Sequence, residues 1–369
     1  MEIKQIILHH IQMPLVSPFT TSYGETTDRD FIIVEMIDEN GIVGWGECAA
    51  FASPWYTEET VKTAWHMMED FLIPLLFKTN IDHPNELTTL FSPIRRNNMA
   101  KAALEEAVWD LYAKRRNITL ASALGGNKAQ IEVGAAIGIQ SSTDALIDKI
   151  EDYLSEGYKR IKIKIKPSYD VEQVEVIRKH FPDLPLMADA NSAYTLNDID
   201  ALKELDHYHL MMIEQPLSVD DIVDHAKLQK AIKTPICLDE SITSFDDARK
   251  AIELNSCKVI NLKIGRLGGI SETIKIHDYC RDHDIAVWCG GMLESGIGRA
   301  HNIALTTLEH FTLPGDTSGS ARYWHKDIIE PEVVVKNGLI DVPTAPGIGF
   351  EVKRNELTRV TLYQKTFTN

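Results

Sequence analysis

The chain has little of what marks several large protein classes. Its five cysteines (Cys48, Cys237, Cys257, Cys280 and Cys289) are odd in number and form no Cys-x-x-Cys pair, which excludes a disulfide framework and a thiolate zinc site. Reduced thiols suit a cytoplasmic protein. No run of about 18 apolar residues occurs, and the start, Met1-Glu-Ile-Lys-Gln5, has no basic stretch leading into an apolar one. Neither a membrane span nor a signal peptide is expected. Positive charge is also scarce: 38 Lys and Arg stand against 54 Asp and Glu, a net charge of −16. A nucleic-acid binder, or a protein that docks on an anionic membrane, needs basic patches that are absent here. The 13 histidines contain no His-Glu-x-x-His and no pair at ligand spacing, so they are read as structural or exposed. The glycines of Gly265-Arg-Leu-Gly268-Gly269 and of the segment from Gly290 to Gly298 match neither a phosphate loop nor a dinucleotide fingerprint, and tight loops explain them better.

What is present is length and rhythm. The 369 residues suit a barrel of roughly 200 to 250 residues with a smaller companion. Alternating apolar residues at 3–8, 31–37 and 42–47, with the turn-rich Asp38-Glu-Asn-Gly41 between the last two, predict a small antiparallel sheet. Over 99–115 the apolar residues fall three to four apart, which predicts a helix, and Gly125-Gly126 closes the helical region. From 131 onward short apolar runs alternate with helical segments: 131–137, 161–165, 186–188, 210–213, 236–238, 259–262, 286–289 and 311–313. Eight such strands predict a (β/α) barrel. Beyond about 320 the rhythm stops, and 333–335 and 339–342 read as short strands. The expected division is therefore 1–125, 126–320 and a tail, 321–369, that returns to the N-terminal region.

The chemistry sits at the ends of those strands. Lys164, Asp189, Glu214, Asp239 and Lys263 recur about every 25 residues, each closing an apolar run; a parallel barrel gathers such ends on one rim. In Arg160-Ile-Lys-Ile-Lys-Ile-Lys166 the lysines share one face. On an edge strand that face would be solvated, but a barrel strand has helices outside and the barrel interior inside, so Lys162, Lys164 and Lys166 are expected in the barrel mouth. Two ammonium groups held close lower each other's pKa, and burial acts the same way. Lys164 is accordingly assigned as the base and Lys162 as its electrostatic tuner.

Any one carboxylate at a strand-to-helix junction is more simply an exposed or N-capping acid. Three in register on consecutive strands are different, because they repel unless a cation lies among them. Oxygen-only ligation by Asp189, Glu214 and Asp239 suits Mg²⁺, with Mn²⁺ as a possible substitute. Such an ion would accept a substrate carboxylate and offset the charge that develops when a proton leaves the adjacent carbon. Asn191 and Glu240 are candidates for contacts around that centre. Lys263, almost halfway round the barrel from Lys164, would face the other side of a bound carbon. Arg266 either tunes Lys263 or pairs with a neighbouring acid, and both readings stay open.

With these motifs the chain resembles the enolase superfamily, in particular its muconate-lactonizing subgroup: Lys162-Ile-Lys164, Asp189-Ala-Asn191, Glu214-Gln-Pro216, Asp239-Glu-Ser241, the Lys263 strand and the helix Ala102-Ala-Leu-Glu-Glu-Ala-Val-Trp-Asp-Leu111. The resemblance implies an α/β fold in which an α+β capping domain, built from residues 1–125 and the tail, covers a (β/α)₇β barrel. Within the subgroup, Pro18-Phe-Thr-Thr-Ser-Tyr-Gly24, Phe51-Ala-Ser-Pro-Trp-Tyr56 and Gly290-Gly-Met-Leu-Glu-Ser-Gly-Ile-Gly-Arg299 resemble the o-succinylbenzoate synthase and N-succinylamino acid racemase branch. That branch implies a small-molecule carboxylate substrate, dehydration of 2-succinyl-6-hydroxy-2,4-cyclohexadiene-1-carboxylate in menaquinone biosynthesis, and in some members racemisation of N-succinylamino acids. It also implies that loops 19–23 and 51–56 close over the substrate, with Phe19, Phe51, Tyr56, Gly291, Met292 and Leu293 as substrate contacts. Dipeptide epimerases of the subgroup carry Asp-x-Asp on the last strand; here that region reads Leu313-Pro-Gly-Asp316, a departure from their pattern. A muconate-type cycloisomerase and a metal-binding homologue without turnover are the remaining readings. A homo-oligomer is left open.

Overall fold

The computed structural model describes residues 1–21 and 24–369, with the side chains of 20–25 outside the description. Ser22 and Tyr23, part of the loop expected over the substrate, therefore lie outside the described residues. The N-terminal sheet has four antiparallel strands in the order Thr361–Thr368, Ile3–Thr21, Gly24–Asp38, Val43–Cys48. Its second hairpin is set locally: the Asp38 carboxylate accepts the Asn40 and Ile42 amides, both at 2.9 Å, and Gly41 supplies the φ of +77° that the turn needs.

The helix Asn98–Arg115 joins this sheet to the barrel. A Cβ on Gly44 or Gly46 would come within 2.2 or 2.0 Å of the carbonyls of Ala107 and Ala103, so strand and helix pack backbone to backbone. On that side Asp110 accepts the amides of Trp45 and Ile348, and Glu106 accepts that of Glu47. On the other, Glu105 accepts the amides of Ile270 and Ser271 at the start of a barrel helix. Acids that look like a solvated face are thus buried fasteners, because each finds backbone donors.

The barrel contains one parallel sheet of seven strands: Ala135–Ile137, Ile161–Lys164, Leu186–Asp189, Ile213–Glu214, Ile236–Leu238, Val259–Leu262 and Ala286–Cys289. The run expected as an eighth strand is reduced to single bridges, Phe311 to Val287 and Gly315 to Val133. These bridges, with the Gly134 amide on the Gly315 carbonyl at 2.7 Å, close the ring between its first and last strands. The first expected strand is split: Gln130–Glu132 pairs antiparallel with Leu339–Asp341, outside the parallel sheet. The tail therefore serves both regions, since its end, Thr361–Thr368, lies on the N-terminal sheet. Residues 333–335 do not form a strand.

Inside the barrel Met187, Met212, Cys237, Val259 and Trp288 form their own apolar cluster. The indole of Trp288 lies beneath the polar rim, with the Lys162 ammonium 4.8 Å and the Arg160 guanidinium 5.0 Å from its ring centre. This floor offers the cations above it the electron-rich face of an indole ring.

Candidate active site

Strand register decides which side chains meet. Lys164 pairs with Asp189, and Asp189 with Glu214, so a lysine and two carboxylates stand at one height on three neighbouring strands. Asp239 and Lys263 follow directly after the strands Ile236–Leu238 and Val259–Leu262. A narrow cleft opens above them, lined by Lys162, Lys164, Asp189, Asn191, Asp239 and Lys263. Its apolar side includes Phe19, Phe51, Tyr56, Gly291, Met292 and Leu293, all expected from the sequence, Trp55 from the expected 51–56 loop, and Tyr323, which was not expected. Glu214, Glu240 and Arg266 are buried behind this surface. Lys166 is not in the mouth: the strand ends at Lys164, and Lys166 lies exposed in a turn, bridged to Tyr169. Alternation places a side chain only while the strand lasts.

The lysines do not face one another bare. Lys164 donates to Asp189 and to Asn191 Oδ1, each at 2.7 Å. Lys162 meets Asp316 at 2.7 Å, Glu214 at 3.1 Å and Asp189 at 3.6 Å. Burial lowers the Lys162 pKa, but Asp316, Glu214 and Asp189 outweigh it and hold the group above the ordinary lysine value. Lys162 is thus a fixed cation, where mutual repulsion with Lys164 alone would have lowered it. Lys263 bonds Asp239 at 2.7 Å and the Tyr56 hydroxyl at 3.0 Å. Against the lowering effect of burial, Asp239 and the Tyr56 oxygen hold the Lys263 ammonium well above its usual value. Arg266 donates to Asp239, Tyr56 and the carbonyls of Asn261 and Ile242. It therefore pairs with an acid and sits beside Lys263 at once.

The acids divide by partner. Burial raises Asp239, yet Lys263 and Arg266 bring it down to about 2. Asp189 is likewise lowered, Lys164 and Lys162 overcoming burial. Glu214, at the centre, is pushed up to about 7 by burial and by the charge of Asp189. Glu240 is pushed up to about 8 by burial, Asp239 and Asp189, and its Oε2 has no hydrogen-bond partner among the described residues.

Three carboxylates in register need positive charge among them, and lysines supply part of it: each carboxylate is clasped by one, and among the described residues no three His, Cys, Asp or Glu side chains form a ready metal cage. The donor chemistry nevertheless fits a hard divalent cation. Asp189, Glu214 and Asp239 are buried oxygen donors on consecutive strand ends, and Glu214, whose pKa is raised by like charge, and the orphaned Glu240 oxygen both mark an excess of acceptors.

Several functional positions were missed. Asp316 lines the cleft and binds Lys162 and, at 2.8 Å, Arg160; it lies three residues past the run 311–313, beyond the strand end where a rim residue is sought. Asn261 donates to Glu214 at 2.7 Å. Gly290 is required beside Lys263, because a Cβ there would lie 2.6 Å from Lys263 Cε. Arg29, hidden among the charged residues Asp28 and Asp30, is fully buried and donates to the carbonyls of Ala49, Ala50 and Met292. It thereby ties the segment carrying Phe51 to the one carrying Met292 and Leu293, with the Phe51 ring 3.9 Å away.

Known proteins share this plan. Residues 3–125 match the mandelate racemase/muconate lactonizing enzyme N-terminal domain, and residues 145–356 match the enolase C-terminal domain-like family. The chain belongs to the enolase superfamily. It is 60% identical over 365 residues to an o-succinylbenzoate synthase of Geobacillus kaustophilus, covering 99% of this chain and 97% of that one. An N-succinylamino acid racemase of Thermus thermophilus is 45% identical, with 99% of each chain covered. Among solved structures, an enolase-superfamily member from Listeria innocua superposes with a TM-score of 0.98 at 48% identity, over 100% of this chain and 99% of that one. Enzymes of this superfamily are generally dependent on a divalent metal.

Proposed function

We propose that this protein is an o-succinylbenzoate synthase, a hydro-lyase acting on 2-succinyl-6-hydroxy-2,4-cyclohexadiene-1-carboxylate in menaquinone biosynthesis. The observation that carries this reading is the pair Lys164 and Lys263, on separate arcs of the barrel rim, lining one cleft with Asp189 and Asp239. The identity of 60% to the Geobacillus synthase supports the choice of reaction. Asp189, Glu214 and Asp239 would hold Mg²⁺, or Mn²⁺ in its place, which supplies positive charge to the substrate carboxylate. Lys164, as the free amine, takes the proton from the carbon next to that carboxylate. The resulting ammonium returns the proton to the departing hydroxyl, so one residue serves as base and then acid. Lys263 stays a cation and offsets the charge of the enediolate. The wall made by Phe19, Phe51, Trp55, Met292 and Leu293 suits a six-membered carbon ring and sheds water from it.

The same two lysines also support racemisation of N-succinylamino acids as a second activity, one removing the α-proton and the other delivering a proton to the opposite face. The Thermus racemase, at 45% identity, favours keeping this reaction in view. The five buried, unpaired cysteines suit a reducing cytoplasm. The deciding experiment follows the ultraviolet absorbance of the cyclohexadiene carboxylate with purified, Mg²⁺-loaded protein. Efficient loss of absorbance is expected; a folded, metal-loaded protein that leaves the substrate unchanged would overturn the dehydratase reading.

A further inference from the structure

The two lysines are held by different parts of the molecule. Both partners of Lys164, Asp189 and Asn191, come from the end of the adjacent barrel strand. Lys263 has one carboxylate, Asp239, which it shares with Arg266. Its other support is Tyr56, from the N-terminal domain segment 51–60, whose ends are joined by the Phe51–Thr60 bridge. The Tyr56 hydroxyl donates to Asp239 Oδ1 at 3.0 Å and accepts from Lys263 at 3.0 Å and Arg266 at 3.2 Å. A phenol has one proton to give and two lone pairs, so this hydroxyl is saturated and has nothing left for a substrate. Its ring also faces the Lys263 ammonium at 4.5 Å and packs edge-on against Phe51 and Trp55, which fixes where the oxygen lies.

We propose that Tyr56 is a positioning residue for Lys263, aiming its ammonium at the substrate carbon so that proton transfer on that face requires the 51–60 segment in its observed place. This rests on the two-lysine reading and changes the expected role of Tyr56 from substrate contact to support of Lys263. A lysine is a point charge on a flexible four-carbon stem, and transfer between heavy atoms falls steeply when their alignment is lost. One carboxylate sets a distance; a second polar contact from another domain sets a direction. Dehydration by Lys164 needs Lys263 only as nearby positive charge, whereas racemisation needs it to move a proton. The hydroxyl should therefore matter more for the second reaction.

The test is the Tyr56→Phe variant of the full chain, loaded with Mg²⁺, in deuterated water with each enantiomer of an N-succinylamino acid. Phenylalanine keeps the ring over Lys263 and removes only the oxygen. Proton NMR follows exchange at the α-carbon, and a Lys263→Ala variant shows which enantiomer depends on Lys263. Exchange of that enantiomer should slow by about tenfold or more, the usual effect of losing a hydrogen bond to a charged group, with the other enantiomer unaffected. The unaffected enantiomer also reports that the variant is folded. Equal slowing of both enantiomers, or of neither, would overturn the assignment. Wild-type protein that exchanges neither enantiomer would overturn the two-lysine reading itself, an outcome distinct from a symmetric Tyr56→Phe result.

Discussion

Two buried clusters of carboxylates in this protein solve the same problem differently. At the barrel rim Asp189 and Asp239 are matched by Lys164, Lys263 and Arg266, and both are held below the ordinary aspartate value, Asp239 at about 2. At the junction of the two domains, near Arg29, Glu47 and Glu294 share its charge, yet among the described residues the guanidinium bonds backbone carbonyls rather than either acid, and Glu106 lies beside them. There the acids rely on weaker donors. Glu47 accepts the amides of Ser295 and Gly298 and the Ser295 hydroxyl, and burial still pushes it up to about 7. Glu106, with the Glu47 amide, is raised well above its usual value by burial. Aspartates paired with cations are held ionised, whereas Glu47 and Glu106, satisfied by backbone and hydroxyl groups, are pushed toward the neutral form and act as cement.

The contrast can be broken from either side. The largest effect expected is on the rim: removing the divalent metal with EDTA should abolish turnover, while far-ultraviolet circular dichroism stays unchanged because the lysines remain to neutralise the acids. Activity that survives chelation would take the metal out of the mechanism. Next is Arg29→Met. Stranding the carbonyls of Ala49, Ala50 and Met292 and leaving Glu47 and Glu294 without their cation should cost about 3 kcal/mol in a denaturant melt. The cleft wall should loosen too, raising KM more than it lowers kcat.

The smallest effect is a slope. Glu47 has its folded pKa raised from 4.5 to about 7, so between those values the folded state binds a proton that the unfolded state has released. Its contribution to stability is therefore intact below pH about 4.5 and is lost as pH rises toward about 7. Asp239 has the opposite sign: lowered from 3.8 to about 2, it stabilises above pH about 3.8 and loses that contribution as pH falls through about 2. Glu47→Gln should make the slope of the stability profile between pH about 4.5 and about 7 shallower, the other raised carboxylates keeping the rest of it, and leave the acid limb in place. An unchanged profile in the variant would contradict the junction assignment.

Much of the rim could be read from the sequence because a barrel converts spacing into convergence. Lys164, Asp189, Glu214, Asp239 and Lys263 each close a recognisable apolar run, so their positions follow from strand ends alone. What escaped lies where that rule has no purchase. Asp316 stands three residues beyond the run 311–313 read as the eighth strand, in a segment held by single bridges, so the strand-end rule does not point to it. Arg29 and Glu106 look like surface charge, since their partners are backbone groups contributed by distant segments. Tyr56 reads as an apolar lid residue, and only the fold brings its hydroxyl to Lys263, 207 positions away. Lys166 was misplaced for the converse reason, alternation being carried past the end of the strand at Lys164.

The central claim is that Lys164 performs the chemistry, and the direct measurement is turnover of the cyclohexadiene carboxylate by the Lys164→Ala variant, with metal binding and fold checked in the same preparation. Loss of a general base that also returns the proton should lower kcat by about 10²- to 10⁴-fold, with the melting temperature and metal affinity close to those of the unaltered protein. Turnover at the unaltered rate would contradict the account, because among the described residues lining the cleft no other group is placed to take over both proton transfers.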